Sequence, residues 1–181
     1  MNAIYRKKCT LLIGQVATIY VLLSALTAGF CAHAQAEQPD QGRKLKTLKQ
    51  EITVLRAAYA SFNRRDFEGA VSSLDPQIEW TEPTEFPGGG TYHGREAVKG
   101  YLKQSRDGWA EGSSEPERFI TSLDHIVVFV QARFRPKNRD QWQEVRLADV
   151  YTVHNGRIVQ MHAFADRNDA LKWAGAAARN P

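Results

Sequence analysis

Leu45, Leu48, Ile52, Leu55, Tyr59 and Phe62 recur at three- and four-residue intervals, and that spacing predicts a long amphipathic helix. Asn63-Arg64-Arg65 ends it. Asp66 is placed to cap a second, short helix whose Phe67, Ala70, Val71 and Leu74 turn inward. Asp75-Pro76 breaks that helix, and Ile78–Glu82 alternates as a short strand stopped by Pro83. Thr84–His93, with Gly88-Gly89-Gly90, reads as a mobile loop. A third helix opens at Gly94-Arg95-Glu96, buries Ala97, Val98, Tyr101 and Leu102, and has Trp109 as the limit of its extension. Glu111–Glu117 reads as a second loop. Phe119–Leu123 and Ile126–Phe134 follow as strands, Pro136–Asp140 as a turn, and Asp169 as the cap of a terminal helix with Leu171 and Trp173.

The sharpest local signal lies between the last two strands. His154-Asn155-Gly156-Arg157 separates the strand-like runs Gln143–Val153 and Ile158–Ala165. Asn-Gly between such runs predicts a two-residue type I′ hairpin, because both central positions need φ > 0. Counting outward pairs His154 with Arg157, Val153 with Ile158, Tyr151 with Gln160, Asp149 with His162, and Leu147 with Phe164. Alternation then sets Val145, Leu147, Asp149, Tyr151 and Val153 on one face with Ile158, His162 and Phe164. A carboxylate and an imidazole on so apolar a face must be paired, neutralised or used.

The helices come mostly first and the strands run together afterwards, so the fold class is α+β, with one mostly antiparallel, meandering sheet. Residues 44–176 form the domain, 37–43 a polar tether and 177–181 a tail. The front of the chain differs in kind. Arg6, Lys7 and Lys8 precede an uncharged stretch from Cys9 to Phe30, followed by Ala32-His33-Ala34 and Ala34-Gln35-Ala36. That is the layout of a secretory signal peptide over 1–36, cleaved near Ala34 or Ala36. The rival reading is an uncleaved anchor, the one case in which the protein would be a membrane partner.

Cleavage changes the bulk picture. The formal net charge of +4 loses three positives and no negatives, which leaves +1. The basic pI therefore gives no support for nucleic-acid binding. Both cysteines, Cys9 and Cys31, lie in the same segment, so an exported domain would be held by packing without disulfides. The four remaining histidines have no metal-ligand spacing, and no nucleotide-binding or serine-hydrolase motif is present. No cofactor is expected.

Four segments together resemble the nuclear transport factor 2-like superfamily, in its SnoaL-like and ketosteroid-isomerase-related branch. They are Tyr59-Ala60-Ser61-Phe62-Asn63-Arg64-Arg65-Asp66-Phe67, Ile78-Glu79-Trp80-Thr81-Glu82-Pro83, Gly89–Val98 and Asp149–Val159. The likeness runs from about Leu45 to Gly175. It implies a cone-shaped half-barrel, a curved sheet packed against three helices with a short C-terminal helix, and a pocket between sheet and helices for a small hydrophobic molecule. The superfamily includes isomerases, cyclases, dehydratases, hydrolases and proteins without chemistry, so fold alone does not fix activity.

Carried over by position, the isomerase's general base falls on Glu82 before Pro83, and its protonated oxyanion-binding acid falls on Asp149. That family is a standing example of two carboxylates tuned apart. Its oxyanion-hole tyrosine position holds Ala58, with Tyr59 next to it and about 100° further round the helix. The expected catalytic set is Glu82, Asp149, His162 and Tyr59, with Trp80, Tyr101, Trp109, Tyr151 and Phe164 lining the pocket.

Each assignment has a plainer counterpart. Glu82 is either a desolvated base or a solvated carboxylate at a strand end. Asp149 with His162 is either a catalytic pair or a buried structural hydrogen bond. The aromatic residues are either pocket wall or core. The resulting functions are a cofactor-independent acid–base isomerase, dehydratase or cyclase, a non-catalytic ligand carrier, or an interaction module that forms a homodimer through the outer sheet face.

Overall fold

The computed structural model describes residues 39–176. The segment read as a signal peptide, the first residues of the stretch read as a tether and those read as a C-terminal tail lie outside the described residues. The chain divides into two units, Met1–Leu45 and Lys46–Pro181, and the second carries the fold described below.

Helix α1 spans Pro39–Asn63, beginning inside the stretch read as a tether. Its apolar stripe buries Leu55 and Tyr59 completely or nearly so, with Leu48 packed behind them. Helix α2 is the single turn Phe67–Val71, and Asp66 caps it as expected, its carboxylate accepting from the Gly69 amide at 2.9 Å. Strand β1 follows at Leu74–Glu82, β2 at Gly90–His93, and helix α3 at Arg95–Asp107. Strands β3 (Trp109–Ser122), β4 (His125–Pro136), β5 (Gln143–His154) and β6 (Arg157–Phe164) complete the sheet, and helix α4 spans Arg167–Trp173.

The six strands run in the order β2-β1-β6-β5-β4-β3. All neighbours are antiparallel except β1 and β6, so the first strand lies beside the last. The sheet is curved and unclosed, an α+β cone. One face carries Ile78, Trp80, Val128, Val130, Tyr151 and Met161, packed with Leu55 and Tyr59 of α1 and Val98 and Tyr101 of α3. The other face carries Val127, Ala148 and Val150, covered by Ala170 and Ala174 at the α4 end. Period-two alternation thus splits each central strand between two cores.

Three local expectations are corrected. Glu111–Glu117 is strand, not loop, because β3 pairs with β4 along its whole length. Gly112 and Pro116 are both paired within it, opposite Phe134 and Val130, and on a sheet edge Pro116 needs no partner for its missing N–H. The register shifts fall between Trp109 and Glu111 and between Pro116 and Arg118. Helix α3, by contrast, extends toward Trp109 as expected, ending at Asp107 with Gly108 after it. The cap of the last helix is Asp166 rather than Asp169, its carboxylate accepting from the Asn168 and Asp169 amides at 2.7 and 3.2 Å. The Thr84–His93 loop also yields its last four residues to β2.

Candidate functional site

Ile78, Trp80 and Glu82 share the helix-facing side of β1. The Trp80 indole N–H donates to Glu82 Oε1 at 2.8 Å, a bond between residues two apart on one face. Tyr101, from the buried side of α3, also hydrogen-bonds Glu82. Burial, reinforced by the Asp149 charge, pushes the Glu82 carboxyl up to about 7, although the Trp80 and Tyr101 bonds pull the other way. The solvated alternative for Glu82 does not describe this environment.

Asp149 and Tyr151 project from the same face of β5, and α1 brings Tyr59 down onto them. The Tyr59 hydroxyl donates to Asp149 Oδ2 at 2.5 Å and lies 3.0 Å from the Tyr151 hydroxyl, which is itself 3.5 Å from the same carboxylate oxygen. Burial pushes Asp149 up to about 6, and the two phenols offset part of that rise. Burial and the nearby acids push both phenols well above their ordinary value, so they remain protonated donors. The rings meet edge to face, Tyr59 with Tyr151 at 6.5 Å and Trp80 with Tyr151 at 6.3 Å between centroids. The two acids therefore share one aromatic-walled neighbourhood and feel each other's charge.

His162 does not join them, and the expected Asp149–His162 pair is not formed. The hairpin turn is as read, with φ of 51° at Asn155 and 75° at Gly156, and Val153 faces Ile158. The next pair, however, is Thr152 with Gln160. Val159 is an extra residue in β6, a bulge, and every later position slips by one. Asp149 consequently opposes Ala163, Tyr151 opposes Met161, and Val150 opposes His162. His162 and Phe164 are turned to the α4 face, where their rings stack at 4.4 Å and Trp173 covers them at 5.6 and 5.9 Å. Burial lowers the His162 imidazole, with only Glu79 raising it. Phe164 is likewise not part of the site wall. The alternation Gln160, Met161, His162, Ala163 carried the signal: it puts the polar residues outward once the bulge is allowed.

Trp80, Tyr101 and Tyr151 lie in the core cluster at the site, whereas Trp109 belongs to another group. Trp109 stacks on Phe134 at 4.4 Å and meets Phe62 edge-on at 5.7 Å, near the start of β3. The phenol that reaches Asp149 comes from Tyr59, one position beyond the Ala58 equivalence. Tyr151, expected as wall, is a hydrogen-bond partner of Asp149, and Tyr92, absent from the expected set, opposes Trp80 across β1–β2 and lies over Tyr101 at 4.6 Å. Among the described residues, no group of three or more His, Cys, Asp or Glu side chains is placed to hold a metal ion. None of the described helices is long and apolar enough to cross a membrane.

Among solved structures, the chain is similar to an NTF2-like protein of unknown function from Burkholderia pseudomallei K96243, at 27% identity and a TM-score of 0.59 over 69% of this chain and 97% of that one. It is similar to TerC, crystallised with polyporic acid, at 25% identity and a TM-score of 0.58 over 69% and 97% of the two chains. A putative polyketide cyclase from Sinorhizobium meliloti shares the fold at 14% identity and a TM-score of 0.52, over 61% of this chain and 93% of that one. A search of curated proteins finds no match. The family model described as the SnoaL-like domain matches residues 55–161, a span that contains Tyr59, Trp80, Glu82, Tyr101, Asp149 and Tyr151. With that match and this fold, the chain belongs to the SnoaL-like domain family.

Proposed function

We propose that the protein binds a small hydrophobic carbonyl compound between sheet and helices and carries out cofactor-independent acid–base chemistry on it: isomerisation, dehydration or cyclisation through an enol(ate). The observation that carries this reading is the pair Glu82 and Asp149, two carboxyls held up at about 7 and about 6 in one aromatic neighbourhood. A base titrating near neutrality suits abstraction of a proton next to a carbonyl. Glu82 takes that proton. Asp149, with Oδ2 engaged by Tyr59 and Tyr151, offers its other oxygen, when protonated, to the charge that develops on the substrate oxygen. Tyr59 and Tyr151 hold the Asp149 carboxyl in place.

The similarity to TerC, a protein crystallised with polyporic acid, supports a small-molecule ligand for this fold. The leader-like segment over 1–36 supports export, to the periplasm or beyond, after cleavage near Ala34 or Ala36.

The test is turnover of a panel of β,γ-unsaturated ketones and related enolisable substrates, followed against pH. The coupled pair loses its two protons in two steps. The active form is the singly protonated pair in its minority arrangement, with the proton on Asp149 and Glu82 ionised, since Asp149 at about 6 gives up its proton before Glu82 at about 7. We expect a bell-shaped kcat/KM with limbs near 6 and 7. Glu82→Gln and Asp149→Asn should each lower kcat by about 10²–10⁴-fold. Turnover unchanged in both variants, or none from the wild type with any substrate, overturns the enzymatic reading. Ligand-dependent thermal stabilisation without turnover would identify a carrier instead.

A further inference from the structure

The segment Thr84–Gly89, which follows Glu82 directly, is held internally by two successive turns: Phe86 N–H donates to Pro83 O at 3.1 Å and Gly89 N–H to Phe86 O at 2.8 Å. Its tie to the rest of the site is a side-chain bond. The Tyr92 hydroxyl donates to Gly88 O at 2.5 Å. Tyr92 stands on β2 directly opposite Trp80 and packs over Tyr101, with ring centroids 4.6 Å apart. Those two neighbours are the side chains that grip the Glu82 carboxylate. One side chain therefore bonds the loop, packs on Tyr101 and stands opposite Trp80 on the neighbouring strand.

We propose that Tyr92 is a positioning residue for Glu82, latching the Thr84–Gly89 loop over the site and setting the Trp80–Tyr101 grip on the carboxylate in the same movement. The proposal rests on the reading of Glu82 as the base, and extends it: the loop is the ligand's entrance, and closure completes the base. Water leaves the Glu82 environment when the latch closes. When it opens, the loop swings on its glycines and Glu82 becomes an ordinary solvated acid.

The test compares the protein with its Tyr92→Phe variant, which keeps the ring and removes only the latching hydroxyl. Amide hydrogen exchange is read over Phe86–Gly90, and the Glu82 carboxyl is titrated by carbon NMR, its signal assigned by its loss in Glu82→Gln. Loss of one hydrogen bond should speed loop exchange roughly three- to ten-fold, with the β4 amides Val127–Val130 unchanged. Because burial is the largest cause of the raised Glu82 value, its midpoint should fall from about 7 toward the ordinary 4.5.

Tyr101→Phe provides the opposite sign. It removes a bond that lowers Glu82, so the midpoint should rise while loop exchange stays as in the wild type. Unchanged loop exchange in Tyr92→Phe overturns the latch, and so does faster exchange with the Glu82 midpoint fixed. Faster exchange throughout β4 as well would show a merely structural tyrosine and overturn it too. Neither readout uses a substrate. A failed latch leaves the acid–base reading to its own turnover test, and absence of turnover leaves this one intact.

Discussion

Glu82 is neutralised more easily in the folded chain than in the unfolded one, and that has a sign that can be measured. With the folded value raised from 4.5 to about 7, the native state keeps a proton that the unfolded state releases between those pH values. Stability must therefore fall as pH rises through that window, and its full cost is present above 7. Asp149 adds a similar fall between 3.8 and about 6. Replacing Glu82 with Gln keeps the acceptor for the Trp80 indole and removes the charge. Glu82→Gln should match the wild type in urea unfolding at pH 4 and exceed it by about 3 kcal/mol at pH 8. A stability gain of equal size at both pH values would mean that packing, not ionisation, separates the variants. The residue types were legible in the sequence: an acid before Pro83, an acid among the apolar residues of β5, and aromatics around both. Their partners were not. Tyr59 and Asp149 are 90 residues apart, and only the approach of α1 to β5 makes them bond at 2.5 Å.

At the scale of elements, one bulge decides the chemistry of the last hairpin. Asn155-Gly156 fixes the turn because both positions adopt positive φ, a property written in two neighbouring residues. The register beyond Thr152 is not written there. It follows from the whole of β6 choosing the face that buries Met161, which is fully inaccessible, and Ala163. Deleting Val159 removes the extra residue and leaves Thr152 opposite Gln160 and Asp149 opposite Ala163, so Met161 stays in the core and His162 stays on the other face. We expect the deletion variant to keep its urea midpoint and its turnover; a large loss of either would show that the bulge itself shapes the site. Gly112 makes the parallel point for β3. Its φ is 132°, and a Cβ there would meet Arg133 O at 2.4 Å and Phe134 Cα at 2.5 Å. Backbone atoms cannot yield, so Gly112→Ala should loosen the β3–β4 edge by about 1–3 kcal/mol. A glycine inside the stretch read as a loop is thus the condition for close strand pairing.

For the molecule as a whole, stability rests on two apolar cores, one on each face of the sheet, with no covalent support once residues 1–36 are absent. Residues 37–181 should unfold in urea as one transition whose midpoint is the same with and without reductant. A reductant-dependent midpoint would contradict a fold held by packing alone. By itself the sequence determined the kinds and order of most elements, the Asp66 cap, the Asn-Gly turn and the α+β class. Each of these is decided by the conformational preferences of a few adjacent residues and by apolar periodicity over one or two turns. Only the tertiary structure decided the face on which His162 falls, the pairing of β1 with β6, and the meeting of Tyr59, Asp149, Tyr151, Trp80 and Glu82. Those depend on how whole strands divide their side chains between two buried layers. A single extra residue such as Val159 changes that division at no local cost that neighbouring letters reveal.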